Sequence, residues 1–164
     1  MTRRPRNAAV AAAAPVSAVA LALVLTACSA TNPITTQDSY EASDGVMAEV
    51  GDLRAGNLIV LSHGDGAPGV LVGAVTNDGD DAEVTLALEG EEIASFDVRS
   101  RSTVILGGEG GEGGEDVEIE RVPVPAGAFA QVTMGSDVSG TTTVRVPVLD
   151  DTLPEYADLV PDAE

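Results

Sequence analysis

The chain of 164 residues contains no lysine and no tryptophan, and it has a single cysteine, Cys28, and a single histidine, His63. Without lysine it has no residue for Schiff-base chemistry or for a phosphate-binding loop of the Walker type. One cysteine excludes an intramolecular disulfide. Aromatic residues make up only 2% of the chain, so any hydrophobic core must be built from aliphatic side chains.

Positive charge is also scarce, with eight arginines against 27 acidic residues and a formal net charge of −19. Three of the arginines and none of the acidic residues precede Cys28, so the chain from Cys28 onward has five arginines, 27 acids and a net charge of −22. Nucleic acids bind proteins through Lys and Arg, so this charge excludes nucleic acid as a partner. It also disfavours flat adsorption on anionic lipid.

The N-terminal segment has the order of a cleavable export signal. Three arginines at positions 3, 4 and 6 precede an apolar stretch over residues 8–24, and small residues follow. A retained transmembrane helix is the alternative, but the stretch is rich in alanine, contains Pro15 and is short for a hydrocarbon core of about 30 Å. The segment is therefore predicted to be a signal peptide over residues 1–27.

The signal ends in Leu25-Thr26-Ala27-Cys28. These four residues resemble the bacterial lipobox, whose cysteine is diacylated on its thiol and becomes the first residue of the mature protein. The resemblance implies that Leu25, Thr26 and Ala27 are recognised by the signal peptidase and that Cys28 is lipidated. It also implies a location on the extracytoplasmic face of the cell membrane, with the lipid as the membrane contact.

Residues 28–43 comprise the predicted lipidated cysteine and a flexible tether, because small polar residues and one proline follow Cys28. A β-sandwich domain is predicted over 44–150 and a C-terminal tail over 151–164. The tail contains the one helix candidate, a short turn near Leu153–Leu159, where Asp151 or Thr152 offers a cap.

From Gly45 onward, short β-type runs alternate with clusters of turn residues. Eight or nine short strands with this spacing predict an all-β fold, an antiparallel β-sandwich of the cupredoxin-like or immunoglobulin-like kind. Pro147 has no backbone N–H and is expected at a strand end or edge. The predicted strands are Val46–Val50, Leu58–Ser62, Gly69–Thr76, Ala82–Leu88, Ile93–Val98, Ser102–Leu106, Val117–Val122, Ala128–Met134 and Thr142–Val148.

The segment Gly107–Asp116 consists of six glycines and four acidic residues. Such a composition has no side chain to bury, so it predicts a flexible acidic loop between two strands. A solvated hairpin tip is the favoured interpretation, and a contact with a cation or a partner is the alternative.

Catalysis has few candidate residues. His63 is the one histidine, the residue type that most often serves as a general base, and it adjoins Ser62, but adjacent residues of a strand point to opposite faces. The chain is therefore predicted not to be an enzyme. For a metal site the weak candidates are His63, Met47 and Met134, but both methionines lie in apolar runs where core packing is expected. No metal site and no cofactor are predicted.

Three segments, Val72–Asp81, Pro125–Gly135 and Thr141–Val148, together resemble the PCu(A)C copper-chaperone β-sandwich. The resemblance covers roughly Asp44 to Val148 and implies a cupredoxin-like or immunoglobulin-like fold. The His and Met of that family's copper motif fall at Ala130 and Val132 in this chain, so no copper ligands are carried over. The chain is rich in Ala, Gly, Asp and Val, lacks lysine and ends in the tail Leu153–Pro161, and in these features it is also similar to small envelope lipoproteins of actinobacteria.

These observations favour a lipid-anchored, extracytoplasmic accessory or interaction protein of the cell envelope, without catalytic activity and with an envelope protein as partner. The alternative is a lipoprotein that handles copper or another metal through a degenerate site made from His63, a methionine and acidic loops. The two hypotheses differ in whether His63, Met47 and Met134 converge in the folded domain.

Overall fold

The computed structural model describes residues 43–107 and 114–161. Leu25 to Cys28, the signal peptide and the tether up to residue 42 lie outside the described residues, as does the middle of the acidic loop. Those assignments therefore stay predictions. Within the described residues, no helix is long and apolar enough to cross a membrane.

Ten strands make up the described domain. In chain order they are β1 Val46–Val50, β2 Leu53–Ser62, β3 Gly69–Asn77, β4 Ala82–Leu88, β5 Glu91–Val98, β6 Ser102–Leu106, β7 Gly114–Glu115, β8 Glu118–Ile119, β9 Phe129–Ser136 and β10 Gly140–Leu149.

Two strands depart most from the predicted bounds. β2 starts at Leu53, five residues before the predicted start, because it continues across an irregularity where Asn57 adopts a φ of 53°. The predicted strand Val117–Val122 has only Glu118–Ile119 in a ladder. Its other backbone groups bond to the loop before β3 and to β3 itself, since Val122 N–H donates to the carbonyl of Ala67 at 2.9 Å.

The strands form two layers, one with the order β5-β4-β9-β10 and the other built on β2, β3 and β6. β1 pairs with β2, β8 pairs with β3 and β7 pairs with β6. Most pairs are antiparallel, but β10–β2 and β6–β7 are parallel. The predicted all-β sandwich is confirmed, with ten strands where eight or nine were expected.

The layers are joined by β10, which pairs with β9 over most of its length and with β2 at its end. Val148 of β10 lies opposite Val60, so the sheet continues from one layer into the other as a nearly closed barrel. Val148 N–H donates to the Ala128 carbonyl at 2.9 Å. Because successive backbone N–H groups of a strand point to opposite sides, the nitrogen of Pro147 points away from β9. Pro147 also precedes the first residue pair between β10 and β2, so the N–H that proline lacks is not missing from either ladder.

Aliphatic side chains fill the space between the layers, as the lack of aromatics requires. β4 shows the pattern. Ala82, Val84 and Leu86 are buried, whereas Glu83, between Ala82 and Val84, faces solvent. Met134 of the neighbouring strand β9 contributes to the same cluster, as do Leu58 of β2 and Leu71 of β3 from the other layer. This alternation allows the bounds of β4 to be predicted from the sequence.

A second, smaller cluster lies on the other face of β2 and β3, where Ile59, Leu61 and Val70 are buried. Tyr156 and Val160 of the C-terminal segment pack on it. β2 is therefore apolar on both faces, as in strands covered on both sides.

The C-terminal segment that covers this cluster forms turns, and the helix candidate near Leu153–Leu159 is not a helix. Residues 151–160 form successive turns, in which Tyr156 N–H donates to Leu153 at 3.0 Å and Leu159 N–H donates to Tyr156 at 2.9 Å. The first turn is capped by Asp150 and not by Asp151 or Thr152, since Asp150 Oδ1 accepts from Thr152 N–H at 3.0 Å. Hydrogen bonding from Thr152 lowers the pKa of the Asp150 carboxyl.

Tyr156 also links this segment to the start of the domain, because its hydroxyl donates to Asp44 Oδ2 at 3.0 Å. Partial burial, followed by the hydrogen bond to Asp44, raises the pKa of Tyr156 above its ordinary 10.0. A raised pKa in the folded state means that this contribution to stability is fully present below pH 10 and is lost as pH rises through the raised value.

Replacing Tyr156 with phenylalanine should therefore lower the free energy of unfolding at pH 7 by about 1 kcal/mol, the usual value of one hydrogen bond. The variant should also lose less stability than the wild type above pH 10, and urea titrations at pH 7 and pH 10.5 measure both effects. Ser95→Ala, which removes an exposed hydroxyl bonded to Glu83, is the control. Equal stability of Tyr156→Phe and the wild type at pH 7 would contradict the link.

Candidate functional site

His63 directly follows β2 and is exposed at the domain surface. Its Nδ1 lies 3.9 Å from Asp151 Oδ1, and the two side chains are 40% and 55% exposed, so the pair is well solvated. Ser62 is completely buried; its hydroxyl donates to the Pro68 carbonyl at 2.7 Å and accepts from Gly64 N–H at 3.0 Å. The expectation that Ser62 and His63 do not share a proton is confirmed, because one faces inward and the other outward.

The two methionines lie in different environments. Met134 of β9 is fully buried in the main core, as predicted, but the core prediction was wrong for Met47, which is 41% exposed. Ala48 and Val50 of β1 face the core, so Met47, which precedes Ala48, faces outward.

His63, Met47 and Met134 do not converge on one site. Met134 has no accessible surface, whereas His63 is exposed. Met47 lies beside the bulged part of β2 between Ala55 and Leu58, roughly 20 Å along that strand from His63 at about 3.3 Å per residue. Within residues 43–107 and 114–161, no three His, Cys, Asp or Glu side chains cluster closely enough to hold a metal ion.

A concave surface lies where the curled sheet fails to close. The sheet ends at β5 on one side, and on the other side β6 and β8 share the far edge of β3. Parts of β5 come within 8 Å of β6 and of β8, measured between Cα atoms, without a backbone ladder between them. We call this gap between β5 and the β6–β8 edge the seam.

The seam is closed at one end and open at the other. The short turn from β5 to β6 crosses between the layers and is held by Ser102, whose N–H and hydroxyl both donate to the Arg99 carbonyl at 3.2 and 2.8 Å. At the opposite end, where β5 begins, the seam widens into a groove of about 670 Å³. The groove is lined by Leu88, Glu89, Glu91, Glu92, Ile93, Glu118, Ile119, Glu120, Arg121 and Pro123.

The groove combines an apolar floor with an acidic rim. Leu88 and Ile119 are each 3% exposed, and the half-buried Ile93 packs on the main core. Five glutamates and one arginine line the groove. Of these, Glu89 already accepts the backbone N–H of Gln131 at 2.7 Å, and the other acidic side chains are exposed to solvent.

The backbone of β5 is paired on one side. Its ladder runs to β4, and among the described residues no backbone hydrogen bond joins its other edge to the chain. This surface was not predicted from the sequence, because the strands predicted over Ile93–Val98 and Val117–Val122 carry no indication of which strand edges remain unpaired.

Comparison with known proteins gives matches in structure alone. No protein-family model matches the sequence, and no curated protein matches it. Solved structures similar to this chain include a copper-bound PCuAC domain from PmoF2, at 19% identity, TM-score 0.46 and coverage of 64% of this chain and 98% of the other. They also include an apo PCuAC domain from PmoF1, at 16% identity, TM-score 0.48 and coverage of 63% and 98%.

The structural neighbours are PCuAC domains. The distant resemblance expected from the sequence is therefore confirmed, and at these TM-scores it carries no argument about a ligand. Ala130 and Val132, the positions at which the PCuAC copper motif was expected to fall, are both fully buried in the core. They contribute packing there and no metal-binding atoms.

Proposed function

We propose that this chain is a lipid-anchored, non-catalytic interaction module on the extracytoplasmic face of the cell envelope, whose β-sandwich binds a protein partner. The observation that carries this proposal is the order of the chain. Arginines, an apolar stretch and Leu25-Thr26-Ala27-Cys28 come first, and the sandwich begins at Val46 after a short polar segment.

The start of the domain is fixed to its body. Asp44 accepts from the Tyr156 hydroxyl at 3.0 Å, and Gly45 N–H donates to Asn57 Oδ1 at 3.2 Å. The chain from Cys28 to Asp44 can extend to about 55 Å at most. A partner of the domain is thus expected on, or close to, the membrane that holds the lipid.

The charge of the domain defines what kind of partner it attracts. The part from Cys28 onward carries −22, so its field attracts basic protein surfaces and repels anionic lipid. The lipid holds the protein at the membrane while the charge favours keeping the domain clear of the headgroups.

The alternative of metal handling is not favoured. It requires His63 and a methionine to share one ion, but Met134 is buried in the core and Met47 lies roughly 20 Å along β2 from His63.

Site-specific photo-crosslinking of the full-length protein in native membranes tests the proposal. A photoreactive residue is placed in turn at Glu92 in the seam, Thr143 on the outer face of β10 and Glu49 on β1, all of which are exposed. We expect one discrete adduct with an envelope protein from at least one position, identified by mass spectrometry. Absence of any discrete adduct at all three positions would contradict an interaction module.

A further inference from the structure

The C-terminal segment over residues 151–160, which we call the strap, covers an apolar patch on the outer face of β2 and β3. Ile59, Leu61 and Val70 form this patch. Tyr156 and Val160 of the strap are half-buried against it, and the other eight residues of the strap are exposed. The strap therefore buries few apolar side chains of its own, and without it the patch would face solvent.

The strap is attached to the rest of the domain by side chains. Among the described residues, every backbone–backbone hydrogen bond of the strap has its donor and its acceptor within the strap. The Tyr156 hydroxyl donates to Asp44 at 3.0 Å, whereas the pair of His63 and Asp151 at 3.9 Å is exposed and contributes little. A segment with few buried contacts and no strand pairing opens at a lower free energy than the whole domain unfolds.

Like charge also opposes closure of the strap. The strap has three acidic residues, at positions 151, 155 and 158, and no basic residue, and it lies on a strongly acidic domain. Repulsion between exposed charges is weakened by salt. A segment without acidic residues is therefore expected to fit the same patch better than the strap does.

We propose that the strap is a releasable cover, and that the open patch binds a segment of the partner protein with an aromatic residue followed four residues later by an aliphatic one. This spacing is that of Tyr156 and Val160. Val160 N–H donates to the Tyr156 carbonyl at 3.1 Å, and residues four apart in such a turn lie on the same side.

The partner segment thus forms a short helical turn whose apolar side chains fill the patch, a mode of recognition that proteins use for amphipathic helices. The negative field of the domain favours a segment that is neutral or basic at its other positions. Closure of the strap and binding of the partner exclude each other. The inference rests on the interaction role proposed above and specifies its surface and its regulation.

Native-state hydrogen exchange of the full-length protein, followed by NMR, tests the opening. We expect the N–H groups of Leu159 and Val160 to exchange at least about a hundredfold faster than those of β2 and β3, at rates that low urea does not change. Tyr156→Phe should speed this exchange about fivefold, the equivalent of one hydrogen bond, and Ser95→Ala should leave it unchanged. Exchange that rises with urea as steeply as that of β2 would overturn the releasable cover.

A peptide with the sequence of residues 151–161 tests the patch in a variant that ends at Asp150. We expect the peptide to shift the amide resonances of the patch residues, and to bind the intact chain at least about tenfold more weakly because the strap occupies the patch there. The control peptide has alanine at the positions of Tyr156 and Val160 and should also bind at least about tenfold more weakly. Equal binding of the two peptides would overturn the patch as the site.

Two further measurements accompany the peptide experiment. Tyr156→Ala with Val160→Ala in the full-length chain is a second host, which keeps the length of the chain and should bind the peptide as the truncated variant does. A neutral peptide, with Asn and Gln in place of its three acidic residues, should bind at least about threefold more tightly at low salt. Equal binding of the neutral and acidic peptides would overturn the preference for a neutral or basic partner.

Crosslinking in native membranes identifies the occupant and separates this inference from the proposed function. The photoreactive residue is placed at Ala74, which lies on the same face of β3 as Val70. An adduct with an envelope protein that is stronger in the variant ending at Asp150 than in the intact chain supports the inference, and equal yields would overturn the cover.

Adducts confined to the three crosslinking positions named under the proposed function would leave an interaction module and overturn the patch as its surface. An adduct between two copies of the intact chain at Ala74 would indicate exchange of straps and overturn the partner segment. Absence of adducts at all four positions would overturn the interaction module itself.

Discussion

Replacing Cys28 with alanine should move the protein completely from the membrane fraction to the soluble fraction. The predicted acyl acceptor is the Cys28 thiol, and alanine offers no atom for acylation. Two acyl chains anchor a protein stably, with each buried CH₂ contributing about 0.8 kcal/mol, so their loss outweighs any single contact between the domain and lipid. Fractionation of cells with a high-salt wash of the membranes measures the change.

Ser29→Ala is the matched control for this experiment, because it changes the neighbouring small residue and keeps the thiol. It should stay in the washed membrane fraction. Retention of Cys28→Ala in that fraction would contradict lipidation at this residue. Mass spectrometry of the native wild-type protein gives an independent test, since an unmodified sulfur or a different first residue is incompatible with the proposal.

Replacing Asn77 with aspartate should be among the most destabilising single changes in the domain. Asn77 is 1% exposed, and its Nδ2 donates to the carbonyls of Asp80 at 2.5 Å and Val98 at 3.0 Å, while its Oδ1 accepts from Gly79 N–H at 2.9 Å. The amide thus ties the end of β3 to the next turn and to the end of β5. Aspartate puts a carboxylate oxygen against two carbonyl oxygens in a buried position.

We expect Asn77→Asp to lower the free energy of unfolding at pH 7 by about 3 kcal/mol or more, and Asn77→Ala to lower it by about 2 kcal/mol. Burial should raise the pKa of the new carboxyl in the folded state. Its penalty therefore eases as pH falls through that raised value, because a protonated carboxyl can donate one hydrogen bond. Urea unfolding between pH 4 and pH 7 measures this dependence.

Asn57→Asp provides the control for the same substitution at an exposed site. Asn57 accepts from Gly45 N–H through Oδ1, an acceptor that aspartate keeps, and its φ of 53° is one that aspartate tolerates. Its effect should stay within about 0.5 kcal/mol. Equal stability of Asn77→Asp and the wild type at pH 7 would show that the buried amide does not link these segments.

Local patterns predicted the elements whose environment is itself local. β4 alternates buried aliphatic with polar or small residues between two turns, and its bounds, Ala82–Leu88, were predicted correctly, as were those of β1 and β6. β2 was predicted too short because Leu53–Asn57 contains Arg54 and Gly56, which weaken a strand pattern. Its pairing with β1 and β3 compensates for those residues.

For the candidate sites, too, the sequence predicted what depends on local backbone geometry and missed what depends on contacts between distant segments. His63 was correctly judged unable to share a proton with Ser62, because opposite faces of a strand follow from backbone geometry alone. Met47 and Met134 both lie in apolar runs, but which of them is buried depends on which strands cover them. The seam was not predicted, because no local pattern in Glu91-Glu92 or Glu118-Ile119 shows that these segments face each other.

The sequence by itself determined the class of fold, through strand-length aliphatic runs separated by turn residues, and it determined the acidity of the domain. Tertiary structure alone decided that β10 bridges the layers, that the C-terminal segment covers Ile59 and Leu61, and that β5 keeps a free edge. The reason is physical: periodicity and charge are properties of neighbouring residues. Sheet closure depends on pairings between segments far apart in the chain, such as Val148 with Val60.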